Sequence, residues 1–295
     1  TGSLTRAPGE SVTGSPYAIL LGSVANANYT INYAGAPFTI TKLTVNVTAV
    51  AKTKIYGDTD PALTYTFLPT PLPFGDTFSG ALARVAGEDV SGSPYAINQG
   101  TLVLSTNYTL AYTGASLTIT PAVLTVTADP KSSQYSDPDP AFTLTYSGFK
   151  FGQTLGTSDV SGAPSLTTNA LNTSGPGSYT IFTAVGTLLS SNYSFNLVNG
   201  TLTITKEDAC AVYSGVYFAS TSSPSSSNAT ITLAVTVYED VTDGYTGDIR
   251  NAEVEFYVDG SLKATKQVGL VTPGFNTVGT AVYDCPVSIT GNSQD

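Results

Sequence analysis

With 295 residues the chain has room for two to four domains, each with its own core. A net charge of −10, with only 11 Lys and Arg, argues against nucleic acid and anionic membrane surfaces as partners. The absence of His excludes Ser-His-Asp and Cys-His catalysis, and two Cys without any His cannot fill a tetrahedral zinc site.

Tyr (18), Phe (12), Gly (28) and Pro (17) are frequent beside abundant Thr and Ser, the mixture expected of strands separated by tight turns. No 18-residue apolar run is present, so no membrane span is expected. The first residues, TGSLTRAPGE, carry no basic region followed by an apolar run. A signal peptide is therefore not expected there, and a secreted protein in this form is read as mature or a fragment.

The elements repeat along the chain. NYTINYAGAPFTIT begins at Asn28, NYTLAYTGASLTIT 79 residues later at Asn107, and NYSFNLVNGTLTIT 85 residues after that at Asn192. GSPYAI at Gly14 returns at Gly92, with GSYTI at Gly177 as a looser third copy, and RAPGESV at Arg6 returns as RVAGEDV at Arg84. LTVNVTA at Leu43 is matched to LTVTADP at Leu124, and YGDTDPALTY at Tyr56 returns as YSDPDPAFTLTY at Tyr135. Several motifs in one order at one period define a repeat. They give a partial domain over 1–42, two full domains over 43–122 and 123–205, and a different domain over 206–295.

Within the second copy, Tyr108, Leu110 and Tyr112 alternate with Thr109, Ala111 and Thr113, and Leu117 and Ile119 alternate with Thr118 and Thr120. This is the period of strands with one apolar face, with a bend or bulge at Gly114-Ala115. LTVTA-type and ALTYTF segments give strands on either side of YGDTDP, and Pro71 to Asp76 has room for one short helical turn. Thr1-Gly2 aligns with Ser79-Gly80, so the first copy lacks counterparts of residues 43 to 78 and is expected to belong to a longer array or to complete itself with another chain. After Lys206 the pattern changes. Ile231, Leu233, Val235 and Val237 alternate with Thr and Ala, and Val254, Phe256 and Val258 lead into the hairpin turn Asp259-Gly260. The expected fold is all-β: tandem small β domains in an elongated array, ending in an immunoglobulin-like sandwich.

The segments K-x-YGDxDPxLTY, GDTFSGALARVAGE, YAINQGTL and NYTLAYTGASLTIT resemble the MBG (YGX-type) repeats of bacterial surface proteins, over about residues 1 to 205. Such repeats recur in filamentous-haemagglutinin-like adhesins and in very large surface proteins of Bacteroidota. The third copy departs from the pattern, with Ser136 in the Gly position, Gln153 in an Asp position and LTTNALNTSGPGSYTI replacing the R-x-x-GE segment. YTGDIRNAEVEF in the last domain resembles the Ig-like modules that follow such repeats. The resemblance implies a non-enzymatic stalk or adhesin at the bacterial cell surface, whose partners are the neighbouring domains of a long chain. A self-assembling filament through strand exchange is one alternative, and a lectin-like module binding surface glycans is another.

Candidate site residues are few. Asp58 and Asp60, and their copies Asp137 and Asp139, sit two apart in an extended turn, where the carboxylates either bind Ca²⁺ or cap local amides beside Pro61 and Pro140. Glu239, Asp240, Asp243 and Asp248 crowd one loop of the last domain, as a Ca²⁺ site or as a solvated loop. No other cofactor is expected. Tyr17, Tyr29, Tyr33, Tyr95, Tyr108 and Tyr112 read as core by their period, against a sugar-stacking row. Cys210 and Cys285 flank the last domain and are expected to form a disulfide, the mark of an oxidising compartment; closing a loop of roughly 75 residues would stabilise by about 4 kcal/mol.

Overall fold

The structure is a computed structural model that describes residues 1–240, 242 and 244–288. Its regular elements are strands and three short 3₁₀ turns. Contacts divide the chain into two units, which are described separately. The first comprises Thr1–Leu124, Ser147–Gly162 and Leu188–Asn196; the second comprises Thr125–Tyr146, Ala163–Thr187 and Leu197 onward.

In the first unit, Thr5–Arg6, Tyr17–Leu20 and Ala36–Phe38 form an antiparallel three-stranded sheet, the contribution of the first repeat. The second repeat builds two sheets. Leu43–Ala49 lies between Tyr65–Leu68, which is antiparallel to it, and Tyr108–Thr113, which is parallel. Lys52–Ile55 pairs in parallel with Ala115–Thr120, which continues antiparallel to Tyr95–Asn98 and then Ala83–Arg84. The opening and closing segments of the repeat therefore run side by side and both cross from one sheet to the other, the first after Ala49 and the second at Gly114. A Cβ on Gly114 would come within 3.0 Å of the Ile97 carbonyl oxygen, which explains the glycine at this crossing. Because the two segments are parallel, the chain enters the repeat at one end and leaves it at the other. Val45, Val47, Leu72, Leu102 and Tyr108 form one core cluster, and Ala49, Ile97 and Leu117 a second.

The strand Ala122–Ala128 buries Leu124, Val126 and Ala128 as Leu43–Ala49 buries Val45, Val47 and Ala49. These strands are thus related by 79 residues, and the offset of 81 read from LTVNVTA and LTVTADP is corrected by the side-chain faces. In the second unit, Lys131–Gln134 pairs in parallel with Gly200–Thr205, followed by Gly177–Ala184 and Ser165–Thr168, which repeats the order of the second copy. Its core holds Ala128, Ala170, Ile181, Leu202 and Ile204.

The last domain has a four-stranded antiparallel sheet in the order Ala209–Tyr213, Asn228–Glu239, Val278–Ser288 and Gly269–Leu270. The hairpin Glu253–Val258 and Ser261–Gln267 turns at Asp259 and Gly260, both left-handed with φ of 50° and 71°, as an Asp-Gly hairpin requires. Val237, Ile249, Phe256, Val268 and Ala281 form the shared core.

Two expectations are corrected here. Cys210 pairs with Tyr238 and Cys285 with Ile231, both on the strand that separates them. Seven positions along a strand is about 23 Å, and an odd separation puts the two side chains on opposite faces. Cys210 is exposed, Cys285 is buried, and both are free thiols, since a bridge needs Cα atoms within about 7 Å. Of the tyrosines expected in the core, Tyr29 is 75 % exposed, because no strand pairs with 28–34 as Leu43–Ala49 pairs with Tyr108–Thr113. Tyr17, Tyr95 and Tyr108 are buried, and Tyr33 and Tyr112 are half-buried. Among the described residues no helix is long and apolar enough to cross a membrane.

Candidate functional site

The YGDTDP phrase divides into two parts that face different partners. Asp60 turns inward. Its carboxylate accepts from the Lys54 ammonium at 2.7 Å and from the Arg84 guanidinium, and Glu88 binds the same two cations. Lys54 is itself buried, so its charge is held only because two carboxylates meet it. Hydrogen bonds from Arg84, and next from Lys54, hold the Asp60 carboxyl below its usual range against the opposing effect of burial. The Lys54 bond does most to lower Glu88. Burial pushes Lys54 down, but the bonds to Asp60 and Glu88 outweigh it and its value is raised.

The R-x-x-GE motif is the other half of this cluster. Arg84 lies over the Tyr95 ring at 5.7 Å, and Gly87 has a φ of 146° with no room for a Cβ against that ring. The first repeat reproduces it: Arg6 pairs with Glu10, lies 5.4 Å from the centre of the Tyr17 ring, and Gly9 (φ 136°) is packed on Tyr17. The third copy has Ser133 at the Lys54 position and no R-x-x-GE segment, and its Asp139 is exposed. The acid is kept while the buried cations that need it are gone.

Tyr56, Gly57 and Asp58 turn outward, against the third repeat. The Tyr56 ring is 3 % exposed and meets Phe151 and Tyr193 edge to face, both at 5.4 Å. Phe149 closes the cluster on Tyr193 at 5.6 Å. Gln153 joins the two phenols: its Nε2 donates to the Tyr56 hydroxyl at 3.1 Å, and its Oε1 accepts from Tyr193 at 2.6 Å. Burial raises the Tyr56 phenol. Gly57 has a φ of 82°, and the Lys150 side chain lies where its Cβ would be, at 2.4 Å. The Lys150 ammonium then reaches the Asp58 carboxylate at 3.0 Å. Asp58 and Asp60 thus face different cations and do not converge on one point.

A second contact accompanies this one. Asn192, 6 % exposed, accepts from the Val90 amide at 2.9 Å and donates to the Asp89 carboxylate at 3.0 Å. Asn107 accepts from the Val12 amide, also at 2.9 Å, with Thr13 and Thr106 hydroxyls 3.1 Å apart beside it. Asn107 and Asn192 open the NYT and NYS motifs, and Val12 and Val90 close the G-E-x-V motifs. In the second and third copies, one motif therefore docks on another motif of the repeat before it.

The third copy uses its YSD turn in the same way toward the last domain. The Tyr135 hydroxyl accepts from Asn251 at 2.8 Å, and Ser136 and Tyr135 lie against Gly247. Ser136 keeps the left-handed backbone of the glycine it replaces, with a φ of 75°. Asp137 accepts from the Gln134 amide at 3.3 Å, a local cap on the amide three residues before it and not an Asx-turn, whose bond runs to the amide two residues on. In the last domain Glu239 is buried and accepts from the Gly247 amide, Asp240 accepts from Thr242 at 3.0 Å, and Asp248 pairs with Arg250. Asp243 lies outside the described residues. A cleft of about 740 Å³ is lined by Tyr135, Lys206, Glu207, Asp208, Asp248 and Asn251, among others. Among the described residues no group of three acidic or cysteine side chains is placed to hold a metal ion.

Sequence reasoning missed Phe151 and Asn192 as joint residues. Their signal was present: Phe151 precedes a glycine in a turn-like F-G pair, as Phe74 does, and an Asn opens every N-Y-[TS] copy. No curated protein and no solved structure shows a significant match to the chain. A family model described as MBG domain (YGX type) matches residues 45–118 and 124–203, and the Tyr56-Gly57-Asp58 turn fits that description. The matches cover just over half of the 295 residues, and the chain belongs to the MBG (YGX-type) domain family.

Proposed function

We propose that the chain is a non-enzymatic structural segment of a large bacterial surface protein, an extracellular stalk that displays or adheres. The observation that carries this reading is the pair of matching docks, Val12 to Asn107 and Val90 to Asn192, each at 2.9 Å. A contact repeated at both junctions between successive copies serves the array, whereas a site for one ligand has no need of it. The parallel opening and closing segments support it too, because a repeat entered at one end and left at the other extends a chain. Stability is then a sum of units and of nearest-neighbour interfaces. Protease shaving of intact source cells tests the display: peptides from 1–205 are expected in the released fraction. Their appearance only after lysis overturns it. Small-angle scattering tests the stalk, with a maximum dimension expected to grow by a constant increment for each added repeat.

The last domain supports the Ig-like reading in one respect. Its sheet takes its first, second, sixth and fifth strands in that order, the order of strands A, B, E and D in an immunoglobulin sheet, with the hairpin in the place of C and C′. Strands in the F and G positions are not supplied by the described residues.

Assembly through strand exchange is favoured by one feature. Ala36–Phe38 ends its sheet, where its counterpart Ala115–Thr120 has Lys52–Ile55 as a further parallel neighbour. An open edge of this kind accepts a strand. Filaments in electron micrographs of the purified chain would support exchange, and a monomer at millimolar concentration would exclude it.

A further inference from the structure

Phe151 and Phe74 occupy equivalent places in successive repeats, and both are non-glycine residues in the left-handed region, with φ of 54° and 60°. Each is followed by a left-handed glycine, Gly152 and Gly75. Next comes the acceptor that takes the hydroxyl of the N-Y-[TS] tyrosine. Gln153 accepts from Tyr193 at 2.6 Å, and Asp76 accepts from Tyr108 at 2.6 Å. The bond to Asp76, with burial, pushes the Tyr108 phenol up to about 12. The two knobs are built alike and differ in what covers them. Tyr56 sits on Phe151 and Gln153, while Phe74 is 83 % exposed. Residues 1–42 contain no Tyr-Gly turn that could cover it.

We infer that Phe74, Gly75 and Asp76, with Tyr108, form a docking surface for the Tyr-Gly turn of another MBG-type repeat. The occupied copy shows the chemistry of the occupant: a phenol edge on the Phe ring, its hydroxyl on the acceptor, and a glycine where the preceding residue of the knob presses close. The surface is continuous with an existing interface, because Tyr108 directly follows Asn107, which already holds Val12 of the preceding repeat. A covering ring takes part of an exposed Phe out of water, as Tyr56 does for Phe151, which is 60 % exposed against 83 % for Phe74. The specificity differs in two respects. Asp76 only accepts, so the incoming phenol must donate. Pro73 stands at the Lys150 position, so an acid after the Tyr-Gly pair gains no ammonium partner. The surface reads Tyr and Gly and leaves the third residue free.

The inference stands on contacts within the chain and is independent of where the protein is displayed. In its test, a cyclised peptide of residues 54–61 is titrated into the full chain while amide shifts are followed by NMR. In parallel, a second copy of residues 43–78 is fused ahead of Thr1, which presents a Tyr-Gly turn at high effective concentration. The peptide is expected to move the amides of Phe74, Gly75, Asp76 and Tyr108, and F74A or a Tyr→Ala peptide to abolish those shifts. In the fused chain, hydrogen exchange at 75–77 is expected to slow about tenfold, toward that at 152–154. Because Phe74 is exposed, F74A keeps its fold, as circular dichroism will verify. Shifts that survive F74A, or unchanged exchange at 75–77 in the fused chain, would overturn the inference.

Discussion

Tyr56 and Phe151 are 95 residues apart in the chain, yet their rings meet edge to face at 5.4 Å and join two successive repeats. The ring pair is expected to contribute a coupling of about 0.5–1.5 kcal/mol beyond its burial. In urea unfolding of a double-mutant cycle, Y56A alone should cost about 3 kcal/mol and F151A less, because Phe151 is 60 % exposed. Strictly additive single-variant losses would mean that the two rings are neighbours without being coupled.

The Lys54, Asp60, Arg84 and Glu88 cluster sets a pH dependence. Asp60 and Glu88 are held below their ordinary values. Their contribution is therefore complete above the unfolded value near pH 4 and is lost as pH falls through the lower folded values. Lys54 is raised, so its contribution persists below about pH 10.4 and fades only as pH rises through its folded value. Between these limits the cluster should be pH-independent. Replacing Asp60 with Asn leaves two largely buried cations to share Glu88, with an expected loss of about 1–2 kcal/mol at pH 7. The variant should also show a shallower fall in melting temperature between pH 4 and 2. The same acid profile in D60N and the native chain would show that the cluster does not govern acid stability.

Asn192 and Asn107 make the same bond in different burial. N192A leaves the Val90 amide without its acceptor and removes a donor from Asp89, at an expected cost of about 2 kcal/mol. N107A, in a half-buried place, should cost about 1 kcal/mol. Thermal melts of the two variants separate these values, and a larger loss for N107A would contradict the ordering.

Gly57 and Ser136 share a left-handed backbone. S136G should stabilise by about 1 kcal/mol, since it removes the cost of a side chain at positive φ. The reverse change, G57S, meets Lys150 at 2.4 Å as well as the backbone cost, and should destabilise by about 2–3 kcal/mol. Calorimetry on both variants reads opposite signs if the two turns are alike in backbone and unlike in what presses on them.

The free thiols predict their own chemistry. Cys210 is exposed and should be alkylated in the native chain, whereas buried Cys285 should react only on unfolding. Reductant should leave the melting temperature unchanged. A cross-linked Cys210–Cys285 peptide in non-reducing mass spectrometry would contradict the strand register.

The local features of this protein were legible in the sequence. Period-two alternation marked the strands of each copy, Gly114-Ala115 marked a bend or bulge, Asp259-Gly260 marked the hairpin, and repeated phrases marked the family. Each depends on a few neighbouring residues, through the pleat and through the conformations that glycine and Asp tolerate. What each side chain faces was decided only by the tertiary structure. Asp58 and Asp60 are two residues apart and could have shared an ion, yet the turn after Ile55, left-handed at Gly57, sends one to Lys150 of the next repeat and the other to Lys54 and Arg84. Cys210 and Cys285 flank one domain, yet the strand Asn228–Glu239 lies between their strands and sets them on opposite faces. Tyr29 has the pattern of a core residue and is exposed, while Tyr108, with the same pattern, is buried because Leu43–Ala49 lies beside it. Alternation fixes which residues share a face of a strand; what covers that face depends on pairing between segments far apart in the chain.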